Sequence, residues 1–336
     1  MNSEELQKID SEKMYEVYNK WPQLAKESFG ANLAKFNVKD IDHIVFAGMG
    51  GSGTIGDVMS SLLSKDDIHV SVVKGYLLPK TVDCNTLVVV TSISGNTDEM
   101  LTLLRNNLKL DTKFITFSSG GKLLELSQKN NNIIHHTISE SHSPRASFLT
   151  FLYSIINVLE DVLPLKRADV TESFLKLAEV KNEINSSNLN QENNSLKLAK
   201  WISGVPLMYY PSGLYAAAVR FKNSMQENAK THTIIENVVE ASHNGIVAWE
   251  KPTNVHPILL QGSDDYIKTK ERWKILKEYF NEKNISYQEV FSKDGSILSK
   301  LVCLIYQLDL TSIYHATISG INPSPVNSID YIKDRL

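Results

Sequence analysis

One pattern constrains this chain more than any other: an apolar strand, a Gly/Ser turn and a helix, repeated. It reads in "HIVFAGMGGSGTIGDVMSSLL", in "TLVVVTSISGNTDEMLTLLRNNL" and in "KFITFSSGGKLLELSQ", with a further short strand in "NIIHHTI". Near-continuous apolar strands are covered on both faces, and strands that alternate with helices build parallel sheets. After residue 200 the theme restarts in "VPLMYYPSGLYAAAVRFKNSM" and "HPILLQGSDDYIKTKERWKILKEYF", followed by the strand-like "ISYQEVF". The expected fold class is α/β, with two domains, each a parallel sheet flanked by helices on both faces. A length of 336 residues suits that number.

The expected boundaries follow. Residues 1–40 form an N-terminal helical extension, with Met14, Val17, Trp21 and Leu24 spaced for one face. Residues 41–165 form the first domain. Residues 166–199 form a helical and polar connection that includes the Asn-rich "KNEINSSNLNQENNSLK". Residues 200–318 form the second domain and 319–336 a C-terminal tail.

Composition excludes several classes. A formal net charge of -3 and no basic block argue against nucleic acid. Cys84 and Cys303 are isolated, with neither disulfide nor zinc spacing, so a reducing compartment, the cytoplasm, is expected. The start, "MNSEELQKID", lacks the basic and apolar regions of a signal peptide. "FLTFLYSIINVL" stands out as the longest apolar stretch; it is too short to span a bilayer and reads as a buried helix. No membrane partner is expected.

Ligands of parallel α/β sheets bind beyond the carboxyl ends of strands, where helix N-termini offer free N–H groups and partial positive charge. Two loops fit: Gly50-Gly51-Ser52-Gly53 and Ser92-Ile93-Ser94-Gly95-Asn96-Thr97. Glycine admits close approach of an anion, and Ser52, Ser92, Ser94 and Thr97 add hydroxyl donors. The first loop holds a literal G-x-G-x-x-G at Gly48, Gly50 and Gly53. Yet neither loop carries the Lys of a P-loop, and the strand "IHVSVV" ends at Lys74 rather than at a ribose-binding acid. Two hydroxyl-bearing loops suit a phosphomonoester better than a dinucleotide. The structural alternative stays open: both are Gly/Ser turns before helices, and Thr97 with Asp98 and Glu99 is a capping pattern.

"GMGGSG", "SISGNT" and "SPRASF", in that order, resemble a sugar isomerase (SIS) domain. "FKNSMQENAK" followed by "EASHNGI" is similar to the bifunctional phosphoglucose/phosphomannose isomerases of the archaeal type, from about residue 41 onward. The resemblance implies two SIS-type domains per protomer and a homodimer with the site completed across the interface. It implies no cofactor and no metal, and aldose–ketose isomerisation of glucose 6-phosphate, and of mannose 6-phosphate in the bifunctional enzymes, with fructose 6-phosphate through a cis-enediol. By the same resemblance Gly50, Gly51 and Ser52 match the first loop, and Ser92, Ser94 and Thr97 match the phosphate loop. Arg145 matches the arginine beside the enediolate, Glu227 the proton-transferring base, His243 the ring-opening histidine from the neighbouring subunit, and Lys333 a lysine assisting ring opening. One position departs: Val326 stands near a tail threonine that the family links to the mannose epimer.

The chemistry asks for these types. Moving a proton between C1 and C2 needs a carboxylate in a dry pocket, developing enediolate charge needs a fixed cation, and ring opening needs a group such as histidine that titrates in the right range. Read without the resemblance, Glu227 is equally a solvated glutamate at a helix end, Arg145 a surface arginine, His243 a loop histidine and Lys333 a surface lysine. His135 and His136, adjacent on a strand, point to opposite faces and do not chelate together. The rival functions are a non-enzymatic phosphosugar-binding regulator, an isomerase of another phosphosugar and a nicotinamide-dependent oxidoreductase.

Overall fold

The computed structural model describes residues 1–335, and the last position of the expected tail, Leu336, lies outside them. The chain divides into two compact units. Lys20–Val170, with residues from Asp330 onward, form one; Met1–Asn19 with Thr171–Ile329 form the other.

The first unit is built on β1 (His43–Gly48), β2 (His69–Val73), β3 (Thr86–Thr91), β4 (Lys113–Ser118) and β5 (Ile133–Thr137), in the order β2-β1-β3-β4-β5. Every pairing is parallel. All residues of β1 and β3 are buried, which is why these strands read as unbroken apolar runs. Val45, Val88 and Val90 pack against Met100, Leu103 and Leu104 of the helix Asp98–Asn107. The apolar stretch expected as a buried helix is Phe148–Val158, which packs on the helix Trp21–Phe29.

The second unit carries β6 (Val205–Tyr210), β7 (Ile234–Asn237), β8 (Val255–Gln261) and β9 (Gln288–Phe291), ordered β7-β6-β8-β9 and again all parallel. The 22-residue helix Ile297–Ile318 packs on the helices Tyr215–Asn228 and Asn194–Trp201. It is longer than the stretch marked as most apolar in the sequence, and its length and composition match those of a membrane span, yet 83% of that window is buried within the protein. Its polar residues explain why it escapes notice in a linear scan. Asp309, fully buried, accepts hydrogen bonds from Arg220 Nη2 at 2.6 Å, Ser224 Oγ at 2.5 Å and Tyr18 OH at 3.1 Å. A buried charge persists only when paired and hydrogen-bonded in this way.

Two stretches lie differently from the sequence expectation. The first 40 residues hold three short helices, Ser3–Ile9, Met14–Asn19 and Trp21–Phe29, and the division between units falls after Asn19. The Asn-rich segment lies wholly in the second unit, and the chain passes between units at Val170, inside the helix Arg167–Ile184. Asn193, fully buried, accepts from Leu196 N at 2.9 Å to cap the helix Asn194–Trp201 and donates to Ile184 O at 3.1 Å. Asparagine there serves as a helix cap.

Candidate active site

In the five-stranded unit the strand order reverses between β1 and β3, and open parallel sheets hold ligands beyond the carboxyl ends at such a point. Gly48 and Thr91 are register partners, so the two hydroxyl loops leave adjacent strand ends. Gly50, Gly51 and Ser52 form the first turn of the helix Gly50–Leu62, whose N-cap, Met49, provides no side-chain cap. A Cβ on Gly48 would lie 2.8 Å from the Ser52 carbonyl carbon; glycine lets this helix start so close to the strand.

The second loop is held from within. Ser92, 1% exposed, bonds Thr97 Oγ1 through its Oγ at 2.8 Å and accepts from Thr97 N at 3.3 Å; Ser94 Oγ accepts from Asn96 N at 3.3 Å. Thr97 occupies the N-cap position of the helix Asp98–Asn107 but makes no side-chain cap. Its hydroxyl turns toward Ser92, so the capping alternative does not account for it. Gly95, at φ +71°, would put a Cβ 1.8 Å from Gly120 O. The loop thus interlocks with a second glycine turn, which adds Ser119 N to Ile93 O at 2.8 Å and Lys122 N to Asn96 Oδ1 at 3.1 Å.

A cation stands near the first loop, although neither loop supplies one. Lys74 packs its stem across Gly53, where an added Cβ would meet its Cε at 3.1 Å, and donates to Asp57 Oδ2 at 2.6 Å. Burial pushes the Asp57 carboxyl up, and Lys74 pulls it part of the way back. The end of β2 therefore presents an amine engaged with its own protein where a dinucleotide site needs an acid. Arg145 is 6% exposed, which removes the surface-arginine alternative. Its turn is tied by Trp21 Nε1 to Ala146 O at 2.8 Å and by Ser147 Oγ to Ser143 O at 3.0 Å.

The four-stranded unit repeats the reversal, between β6 and β8, but the loops after β8 and β9 carry carboxylates. Asp265 Oδ2 accepts from Gly262 N at 3.1 Å and Trp273 Nε1 at 2.9 Å, Asp294 accepts from Ser263 Oγ at 2.6 Å, and Lys300 pairs with Asp264. Glu227 stands at the opposite end of this sheet. It is half-buried in the last turn of the helix Tyr215–Asn228, which starts after β6 and ends before β7. There it lines a cavity of about 610 Å³ with Lys230, His232, Pro325, Val326 and Ser328. Such a volume suits a small-molecule ligand. Arg220 and Ser224 on the same helix bind Asp309, and Asn228 Nδ2 donates to Ser312 Oγ at 2.8 Å, so the carboxylate rides on a helix fixed along one face.

The remaining sequence candidates lie elsewhere. His243 is exposed in the turn after the helix Val238–Ala241 and does not line the Glu227 cavity. Lys333 is exposed at the end of the helix Asn327–Lys333, in which no residue is buried. The structure thus gathers Gly50, Gly51, Ser52, Ser92, Ser94 and Thr97 at one crevice and puts Glu227 with Val326 at one cavity of the other unit. Sequence reasoning missed Lys230 and His232. The signal for Lys230 was its place directly after a helix end, where glycine is usual.

A doubly repeated parallel sheet with a hydroxyl loop at the strand reversal defines an SIS-type protein. The solved tagatose-6-phosphate ketose/aldose isomerase from Escherichia coli shares the fold, with a TM-score of 0.68 and 12% identity over 96% of this chain and 95% of that one. Residues 191–336 match the model of the bacterial phospho-glucose isomerase C-terminal SIS domain. A bifunctional phosphoglucose/phosphomannose isomerase from Caldicellulosiruptor bescii is 32% identical over 95% of this chain and 97% of its own length. One from Aquifex aeolicus is 28% identical over 87% and 90%. The chain belongs to the bifunctional phosphoglucose/phosphomannose isomerase family, and it is an isomerase.

Proposed function

We propose that this chain interconverts glucose 6-phosphate and fructose 6-phosphate through a cis-enediol. Ser92, Ser94 and Thr97, with the amides at Gly50, Gly51 and Ser52, hold the phosphate. Glu227 carries the proton between C1 and C2, and Arg145 balances charge on the enediolate. His243, supplied by a second copy of the chain, and Lys333 open the sugar ring. The observation that carries this reading is the Ser92–Thr97 loop: three hydroxyls, locked by a glycine turn, before a helix whose N-terminus has no side-chain cap. Such an N-terminus attracts an anion and supplies donors to it.

Val326 lines the cavity that holds Glu227 and offers no hydrogen bond through its side chain. Mannose 6-phosphate is therefore turned over weakly or not at all. A coupled assay on fructose 6-phosphate with EDTA present tests the reading: turnover to the glucose epimer supports it, and no turnover of either aldose defeats it. Equal rates for both aldoses would defeat the role given to Val326. A homodimer in the cytoplasm is part of the proposal, and sedimentation should report about twice the 37.7 kDa chain mass.

A further inference from the structure

Lys230 follows the C-cap Ala229 of the helix that carries Glu227 and adopts φ +54°. This left-handed seat after a helix usually belongs to glycine, and a side chain there is strained. The side chain of Lys230 is fully engaged. Its Nζ lies 2.7 Å from Glu227 O and 3.4 Å from Asn228 O, at the negative end of the helix. It also lies 2.8 Å from Pro325 O and 3.3 Å from both Asn322 O and Pro323 O. An ammonium has three protons, so five carbonyls share them around one cation. Pro323 and Pro325 have no N–H, which leaves their carbonyls as the backbone handles of that segment. The same segment runs directly into Val326–Ile329, which line the cavity with Glu227.

We propose that Lys230 is a positioning residue: it pins the tail Asn322–Pro325 to the last turn of the Glu227 helix and so fixes the tail wall of that cavity. The proposal rests on the reading of Glu227 as the base. In this role Lys230 acts through the tail and through the carboxylate's own helix turn.

The test is Lys230→Gly, which relieves the left-handed backbone while removing the cation, together with Lys230→Arg, which restores a cation with several donors. Hydrogen exchange of amides 321–329 is followed alongside kcat and KM for fructose 6-phosphate. In Lys230→Gly the tail amides should exchange faster, the unfolding temperature should hold, and kcat should fall about tenfold or more, since small misplacement is costly in catalysis. Lys230→Arg should recover part of both. Wild-type exchange in the glycine variant, or faster exchange with wild-type kcat, overturns the proposal. If the wild-type protein proves inactive while exchange still rises in the variant, the clamp stands and the assignment of Glu227 falls.

Discussion

The two units share a strand order and a reversal point but not the loop chemistry beyond it. In the five-stranded unit the crevice after β1 and β3 is lined by hydroxyls and uncapped helix starts. In the four-stranded unit the loop after β8 carries Asp264 and Asp265, which are satisfied by Lys300, Gly262 and Trp273, and the candidate base sits at the other end of the sheet. Topology determines where a crevice falls, and the loop side chains decide whether it attracts or repels a phosphate.

The comparison breaks most visibly at Glu227. Glu227→Gln should lower kcat by about a thousandfold, the scale of a positioned proton-transfer group, with phosphosugar binding nearly unchanged. Ser263→Ala, in the carboxylate-bearing loop after β8, should leave kcat at wild type. Coupled assays and calorimetry separate the two, and similar losses in both would end the distinction between the units.

Next in size is backbone strain. Gly95→Ala drives a Cβ into Gly120 O at 1.8 Å from a left-handed conformation and should cost about 2–4 kcal/mol in urea unfolding. Gly213→Ala, in the loop after β6, meets nothing within 4 Å and should change stability by less than about 1 kcal/mol. A tolerated Gly95→Ala would mean that the hydroxyl loop needs no interlock.

Ser94→Ala should weaken fructose 6-phosphate binding about tenfold, the worth of a hydrogen bond to a charged group. Unchanged affinity would remove Ser94 from the phosphate cradle. The smallest effect is on pH. Burial, with help from His136, pushes His135 down to about 4, and burial also lowers His136. The unfolded chain takes up protons near pH 6.5 that these folded histidines refuse, so stability should fall as pH drops from about 6.5 toward 4 and be independent of them above that window. Thermal unfolding of His135→Gln should show a flatter acid limb; a slope equal to that of wild type would exclude His135 as a source.

Much of this was legible in the linear chain because it is local. The strands β1 and β3 announce parallel pairing by being buried on both faces, and the glycines and hydroxyls of the two loops are contiguous. Glu227 could be put at a helix end by counting from Tyr215. What was hidden depends on partners distant in sequence. Arg220 and Asp309 are 89 residues apart, so nothing near either shows that the helix Ile297–Ile318 is a core element. The need for glycine at 95 lies in Gly120 O, and the lysine at 230 has acceptors in a tail more than ninety residues later. The Asn-rich stretch looked like a linker because capping chemistry and linker chemistry use the same amino acids.

Because the strand order occurs twice in one polypeptide, each molecule carries its own control. A phosphorylated probe meets a hydroxyl-bearing loop and a carboxylate-bearing one at the same concentration and temperature, and in the same fraction of folded protein. Any difference in occupancy between them then reports loop chemistry alone, free of the preparation-to-preparation scatter that separate proteins would bring.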